Sequence, residues 1–153
     1  MDKIQNCASA EDTFELGARL ADELQESDVV LLHGDLGAGK TVLAKGILSG
    51  LAFDPADVTS PSFALVNLYP TEKFNVYHID LWRVESGTDA AFEVGLDDIM
   101  ASDKSVVIIE WAERLGDPRF DSRVFDVRIA GDGDDPRTIT LEIQEPTAAT
   151  GVK

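Results

Sequence analysis

The chain has 153 residues, with 29 acidic against 13 basic for a formal charge of −16, and 44% of its residues are hydrophobic. That length suits one domain around a single core, and the composition is that of a folded globular protein rather than a disordered or collagen-like one. The charge works against unaided binding to DNA, RNA or an anionic membrane, and no apolar stretch approaches the ~20 residues that span a bilayer.

Met1 to Asn6 lacks the basic and apolar regions of a signal peptide, so the expected location is the cytoplasm, with no membrane partner. Cys7 is the sole cysteine. It excludes an internal disulfide and a cysteine metal cage, and reads as a bland thiol near the terminus. Thr13 to Glu26 sets Phe14, Leu16, Leu20, Ala21 and Leu24 on one helical face, with Ser9 and Asp12 as N-cap candidates. Val29-Val30-Leu31-Leu32, bounded by Asp28 and Gly34, reads as a strand buried on both faces of a parallel sheet. The next helix starts within the glycine loop and passes Leu43, Ile47 and Leu48 to stop at Gly50.

Asp54-Pro55 and Thr59-Ser60-Pro61-Ser62 are turn and loop formers that lead into a strand from Phe63 to Tyr69. Phe74 to Asp80 is a second apolar strand, Ser86 to Ser102 predicts one or two short helices around Gly95, and Val106-Val107-Ile108-Ile109 repeats the buried-strand pattern. Arg123 to Ile129 and Thr138 to Ile143 alternate polar and apolar residues, as half-exposed strands of a hairpin turning through Gly131 to Pro136. Residues 1–145 are expected to form one domain, and 146–153 a frayed tail.

Gly34-Asp35-Leu36-Gly37-Ala38-Gly39-Lys40-Thr41 has the spacing of a phosphate-binding loop and sits between an apolar strand and an amphipathic helix, where that loop belongs. Its glycines let backbone N–H groups face a phosphate without a Cβ in the way, and the helix N-terminus adds a positive dipole end. Lys40 should reach the β- and γ-phosphates of ATP, while the Thr41 hydroxyl should ligate Mg²⁺.

Such a site also needs an acid at a neighbouring strand end, to hold the metal's water shell or to orient the attacking water. Asp80 and Glu110 each close an apolar strand at the edge where the loop emerges, and either suits the task. Trp111 should lie at the mouth of the site, against nucleotide, partner or core. His78 reads as a catalytic base or, more simply, as a satisfied structural histidine, and His33 as the latter. Thr59, Ser60 and Ser62 carry hydroxyls on a proline-punctuated loop of the kind that orders around γ-phosphate and Mg²⁺.

The motif Gly34 to Thr41, then Thr59-Ser60-Pro61-Ser62-Phe63, Tyr77-His78-Ile79-Asp80-Leu81-Trp82-Arg83, Glu93-Val94-Gly95-Leu96 and Ile109-Glu110-Trp111-Ala112-Glu113-Arg114-Leu115 together closely resemble the TsaE family. These are small bacterial ATPases needed for threonylcarbamoyladenosine at adenosine 37 of tRNA. The resemblance implies action on an assembly of TsaB and TsaD, with tRNA engaged only indirectly. It assigns Lys40 and Thr41 to phosphate and Mg²⁺, the Ser60-to-Phe63 segment to a nucleotide-sensing switch, Asp80 to catalysis near the γ-phosphate, Glu110 to the metal's water shell, and Trp111 to the partner-facing rim. Family members commonly have threonine where Ser62 stands; the hydroxyl is kept and the rotamer-stiffening methyl is lost.

The fold expected is a three-layer α/β P-loop NTPase domain with a mainly parallel sheet and antiparallel C-terminal strands. The reaction expected is ATP hydrolysis by positioning and charge neutralisation. Two alternatives are a small-molecule kinase, for which Arg114, Arg119 and Arg123 are the lid cations available, and a nucleotide-sensing regulator with little turnover.

Overall fold

The computed structural model describes residues 2–34, 39–58, 65–84, 89–90, 94–116, 120–131 and 136–146. In chain order its strands are β1 (Asp2–Cys7), β2 (Val29–His33), β3 (Val66–Pro70), β4 (Asn75–Asp80), β5 (Ser105–Glu110), β6 (Val124–Ala130) and β7 (Arg137–Gln144). The helices are α1 (Ala10–Ala21), α2 (Lys40–Gly50) and the short α3 (Leu96–Met100), with 3-10 turns at Pro55–Asp57 and Ala112–Leu115.

All seven strands join one sheet, in the order β1-β7-β6-β2-β5-β4-β3. The α/β class stands, but the expectation of a mainly parallel sheet does not. β6, β2, β5 and β4 pair in parallel, whereas β1 with β7, β7 with β6 and β3 with β4 are antiparallel, so the pairings divide evenly. The parallel strands form the centre, and each flank is closed by chain that doubles back on its neighbour.

One flank was hidden in the sequence. β1 is largely polar and carries no clear alternation, yet it lies along β7 with Gln5 opposite Ile139 and Cys7 opposite Arg137. As an edge strand it leaves Ile4 72% exposed while Cys7 is buried in the core, so the cysteine is a packing residue. The strand expected from Phe63 begins at Val66 instead, and Phe63 itself lies outside the described residues.

Period-two alternation sorts the sheet's side chains onto two faces. Val30, Leu32, Val76, Val106, Ile108, Phe125 and Val127 pack with Leu20, Leu43, Ile47 and Leu48 of α1 and α2. Val29, Leu31, Ile79, Val107, Ile109 and Val124 meet Leu96, Ile99 and Ala112 on the other side. Helical layers therefore cover both faces, the second of them thin.

The first helix starts three residues before the apolar pattern did. Ser9 is its N-cap, with Oγ accepting from the Asp12 N–H at 3.2 Å, and the Asp12 carboxylate reaches back to the Ala8 N–H at 3.0 Å. That reciprocal arrangement satisfies donors at the helix start and contributes about 1 kcal/mol. α1 then lies against α2 at a separation only glycine allows. A Cβ on Gly46 would fall 2.1 Å from the Phe14 carbonyl oxygen, and one on Gly17 would fall 2.5 Å from that of Leu43.

This close approach fixes where α2, and so its first residues Lys40 and Thr41, stands over the sheet. Gly46→Ala is expected to destabilise the protein by about 2 kcal/mol through overpacking, despite alanine's better helix propensity. Urea denaturation checks this: an unchanged or higher midpoint would show that α1 and α2 can part at no cost.

A candidate nucleotide site at the sheet edge

β2 ends at His33 and runs into Gly34; Asp35, Leu36, Gly37 and Ala38 lie outside the described residues, as do Thr59, Ser60 and Ser62 of the expected switch. The chain resumes at Gly39, which caps α2 in the left-handed region with φ 109° and ψ 18°, a conformation that strains any side-chain-bearing residue. Gly39 has no side chain to cap this helix, so among the described residues no N-cap side chain meets its first N–H groups and positive dipole end. The Lys40 ammonium donates to the Gly34 carbonyl oxygen at 2.7 Å and lies 4.1 Å from the centre of the Trp111 ring. One cation thus links both ends of the glycine segment to the residue after β5.

Alternation along β4 and β5 puts His78, Asp80 and Glu110 on the face that α2 covers, the face of Val76 and Ile108. Parallel register sets Asp80 beside Glu110. Glu110 is 2% exposed and Asp80 4%. A carboxylate so buried requires hydrogen-bond donors. The Thr41 hydroxyl supplies one, 3.0 Å from Glu110 Oε1 and 3.2 Å from Oε2, and the His78 ring supplies another, with Nε2 2.5 Å from Oε2. Asp80 Oδ1 accepts from the Trp82 N–H at 2.9 Å.

A hydroxyl and a carboxylate in contact are hard oxygen donors, the set that suits Mg²⁺ held mainly by phosphate and water. The residues present therefore fit that ion. Among the described residues no group of three or more His, Cys, Asp or Glu could form a protein-only cage, so the ion's other ligands would be phosphate and water.

Trp111 turns the chain off the end of β5 with φ 59° and ψ 43°, a strained conformation for a bulky residue. The turn brings its indole beneath Lys40 and against Trp82, ring centres 4.6 Å apart, while the Arg114 guanidinium lies 5.7 and 5.9 Å from the two rings and donates to the Val84 carbonyl at 2.9 Å. Of the other cations weighed for a kinase lid, Arg119 lies outside the described residues, and Arg123 sits at the opposite edge of the sheet. There it holds Asp28 at 2.7 Å and the Glu23 carbonyl at 2.8 Å.

Two partnerships do not show in the sequence. His78 is bound to Glu110, a neighbour set by strand register across more than thirty residues of chain. His33, immediately before Gly34, lies between Asp126, 2.9 Å from Nε2, and Glu113, 3.6 Å from Nδ1. Neither contact has good hydrogen-bond alignment, so His33 is not the satisfied structural residue expected. Asp126 looked like an outward residue of an alternating strand, but it shares the face of Val124. The His33 ring 2.9 Å away holds its carboxyl below the usual 3.8.

A family model described as "Threonylcarbamoyl adenosine biosynthesis protein TsaE" matches residues 7–139. The chain is 37% identical over 133 residues to the tRNA threonylcarbamoyladenosine biosynthesis protein TsaE of Streptomyces coelicolor, covering 83% of this chain and 87% of that one. It is 36% identical over 105 residues to the protein of the same name from Rickettsia prowazekii, covering 69% and 71%. The crystal structure of Bacillus YdiB matches it with a TM-score of 0.71 and 28% identity over 92% of this chain and 84% of that one.

The depressed Asp126 carboxyl has a consequence for stability. A carboxyl whose folded pKa lies below its unfolded value stabilises the fold above the unfolded value, and loses that contribution as pH falls through the folded one. Asp126→Asn should therefore lower the urea midpoint at pH 7, with the gap from the parent closing below about pH 3.8. A gap independent of pH would show that charge at Asp126 is not what stabilises the pair.

Proposed function

The chain belongs to the TsaE family of threonylcarbamoyl adenosine biosynthesis proteins, and from that premise we propose that it is a Mg²⁺-dependent ATP hydrolase serving threonylcarbamoyladenosine modification of tRNA through TsaB and TsaD. The observation that carries this reading is the meeting of the first turn of α2 with the end of β5, Thr41 on Glu110 at 3.0 Å beside Lys40, where Gly34 leaves β2.

In this reading Gly34 to Thr41 binds the triphosphate through backbone N–H groups and the dipole of α2. Lys40 exchanges its Gly34 carbonyl partner for β- and γ-phosphate oxygens. Thr41 and Glu110 would hold Mg²⁺, which when bound supplies charge neutralisation at the phosphates. Asp80, adjacent to Glu110 across the strand pair, orients the attacking water. Trp111, with Trp82, forms the rim that nucleotide and partner share, and Thr59, Ser60 and Ser62 form the segment that responds to the γ-phosphate. Hydrolysis then needs positioning and electrostatics, with no covalent enzyme intermediate.

Residues 1–145 act as one cytoplasmic unit. No helix among the described residues is long and apolar enough to cross a membrane. At a formal charge of −16 the chain repels free tRNA, so its route into the modification is contact with protein.

The test is ATP turnover and association with a purified TsaB–TsaD assembly. Turnover should rise when the assembly is added, and Lys40→Ala should cut ATP affinity or turnover by about tenfold or more with the fold intact. Calorimetry should show tighter association with ATP or a non-hydrolysable analogue than with ADP. Equal affinities would remove the switch, parent-like hydrolysis by the Lys40 variant would remove the phosphate-loop assignment, and tight, salt-resistant binding to free tRNA would overturn the indirect role.

A further inference from the structure

We propose that His78 is a positioning residue that sets the direction of the Glu110 carboxylate through a hydrogen bond from Nε2 to Oε2. The inference rests on the reading of Glu110 as the acid of the Mg²⁺ site. His78 is completely buried at the centre of β4, paired in register with Asn67 of β3 on one side and Ile108 of β5 on the other. Its ring therefore cannot follow a wandering partner. The other donor to Glu110, the Thr41 hydroxyl, is a rotor at a helix start whose hydrogen is shared between both carboxylate oxygens.

Alone, that hydroxyl would leave the carboxylate free to twist. With His78 on Oε2, one oxygen is anchored to the sheet and Oε1 is directed toward Thr41. A hydroxyl has one proton to give and two lone pairs, so Thr41 can keep donating to Glu110 while its lone pairs serve a cation. Removing a partner of this kind behind a ligating group typically costs about 10–100-fold in metal affinity.

The cost of the arrangement argues against mere packing. His78 Nδ1 is buried with no hydrogen-bond partner in the structure. An apolar side chain would fill the same space without stranding a polar atom. With the proton on Nε2, the stranded group is an acceptor lone pair, which costs less than an orphaned N–H. The contact with Glu110 thus also selects the tautomer.

The experiment compares His78→Leu, His78→Gln and Glu110→Gln by calorimetric ATP titration across Mg²⁺ concentrations and without metal, together with ¹⁵N spectra of the parent's imidazole in the metal-free state. His78→Leu should raise the Mg²⁺ needed for half-saturation by about tenfold, leaving metal-free ATP affinity unchanged. His78→Gln, whose amide N–H reaches the place of Nε2–H, should recover most of that loss. The parent ring should carry its proton on Nε2.

Equal losses with and without metal, or no rescue by glutamine, would make His78 a structural residue and overturn the proposal, as would a ring protonated on Nδ1 alone. A Glu110→Gln effect with none from His78→Leu would refute the positioning role and leave the Mg²⁺ reading standing. A Mg²⁺ requirement untouched by Glu110→Gln would instead refute the reading of Glu110 itself.

Discussion

A carboxylate that is 2% exposed has to be met by donors, and the site is organised around how Glu110 meets its own. One donor arrives from the start of α2 and the other from β4. The contact depends on where α2 lies on the sheet face, where Leu43, Ile47 and Leu48 pack down on the strands and the glycine-mediated approach of α1, with any Cβ on Gly46 striking the Phe14 carbonyl, holds it from the side. Strain at Trp111 completes the arrangement. Its left-handed turn sends the chain away from Glu110 and returns an aromatic face to Lys40, so that the cation and the hydroxyl of the first turn of α2 are both held from the end of β5.

Much of this was legible in the sequence, and the reason is locality. The glycine loop has fixed spacing, and its flanking strand and helix are apolar runs whose lengths and periods are read directly. Asp80 and Glu110 were visible because each interrupts an apolar strand at its end. What escaped depends on register. His78 was read without an acidic neighbour, since Glu110 becomes its neighbour only once β4 and β5 align. In the alternating strand from Arg123 to Ile129 a charged residue such as Asp126 is expected to face water, an expectation that fails where a histidine from β2 lies opposite. β1 escaped because an edge strand can pair without an alternating pattern, with Cys7 buried at its end and Ile4 exposed. The even division of parallel and antiparallel pairs follows from the same omission together with the turn at Thr71 to Phe74, where Thr71 N–H donates to the Phe74 carbonyl at 2.8 Å.

The scarcity of positive charge shapes the functional reading. With 13 basic residues against 29 acidic ones, the described cations near the site are committed to local work. Lys40 joins Gly34 and Trp111, and Arg114 braces Val84 beside the two tryptophans, while Arg123 is spent at the far edge on Asp28. That distribution suits a protein that binds one triphosphate at one strand edge and presents an aromatic rim beside it. It does not resemble a surface that tracks a phosphate backbone.

The central claim is that Thr41 and Glu110 act as one unit on the Mg²⁺ of a bound nucleotide, and a double-mutant cycle tests it most directly. Mg²⁺-dependent ATP affinity would be measured for the parent, Thr41→Ala, Glu110→Gln and the double variant, with metal-free affinity as the reference. The account predicts strong non-additivity, the double variant losing little more than the worse single one, with a coupling of about 1–3 kcal/mol. Losses that simply add would contradict it, because two side chains that contribute independently are not sharing one ion.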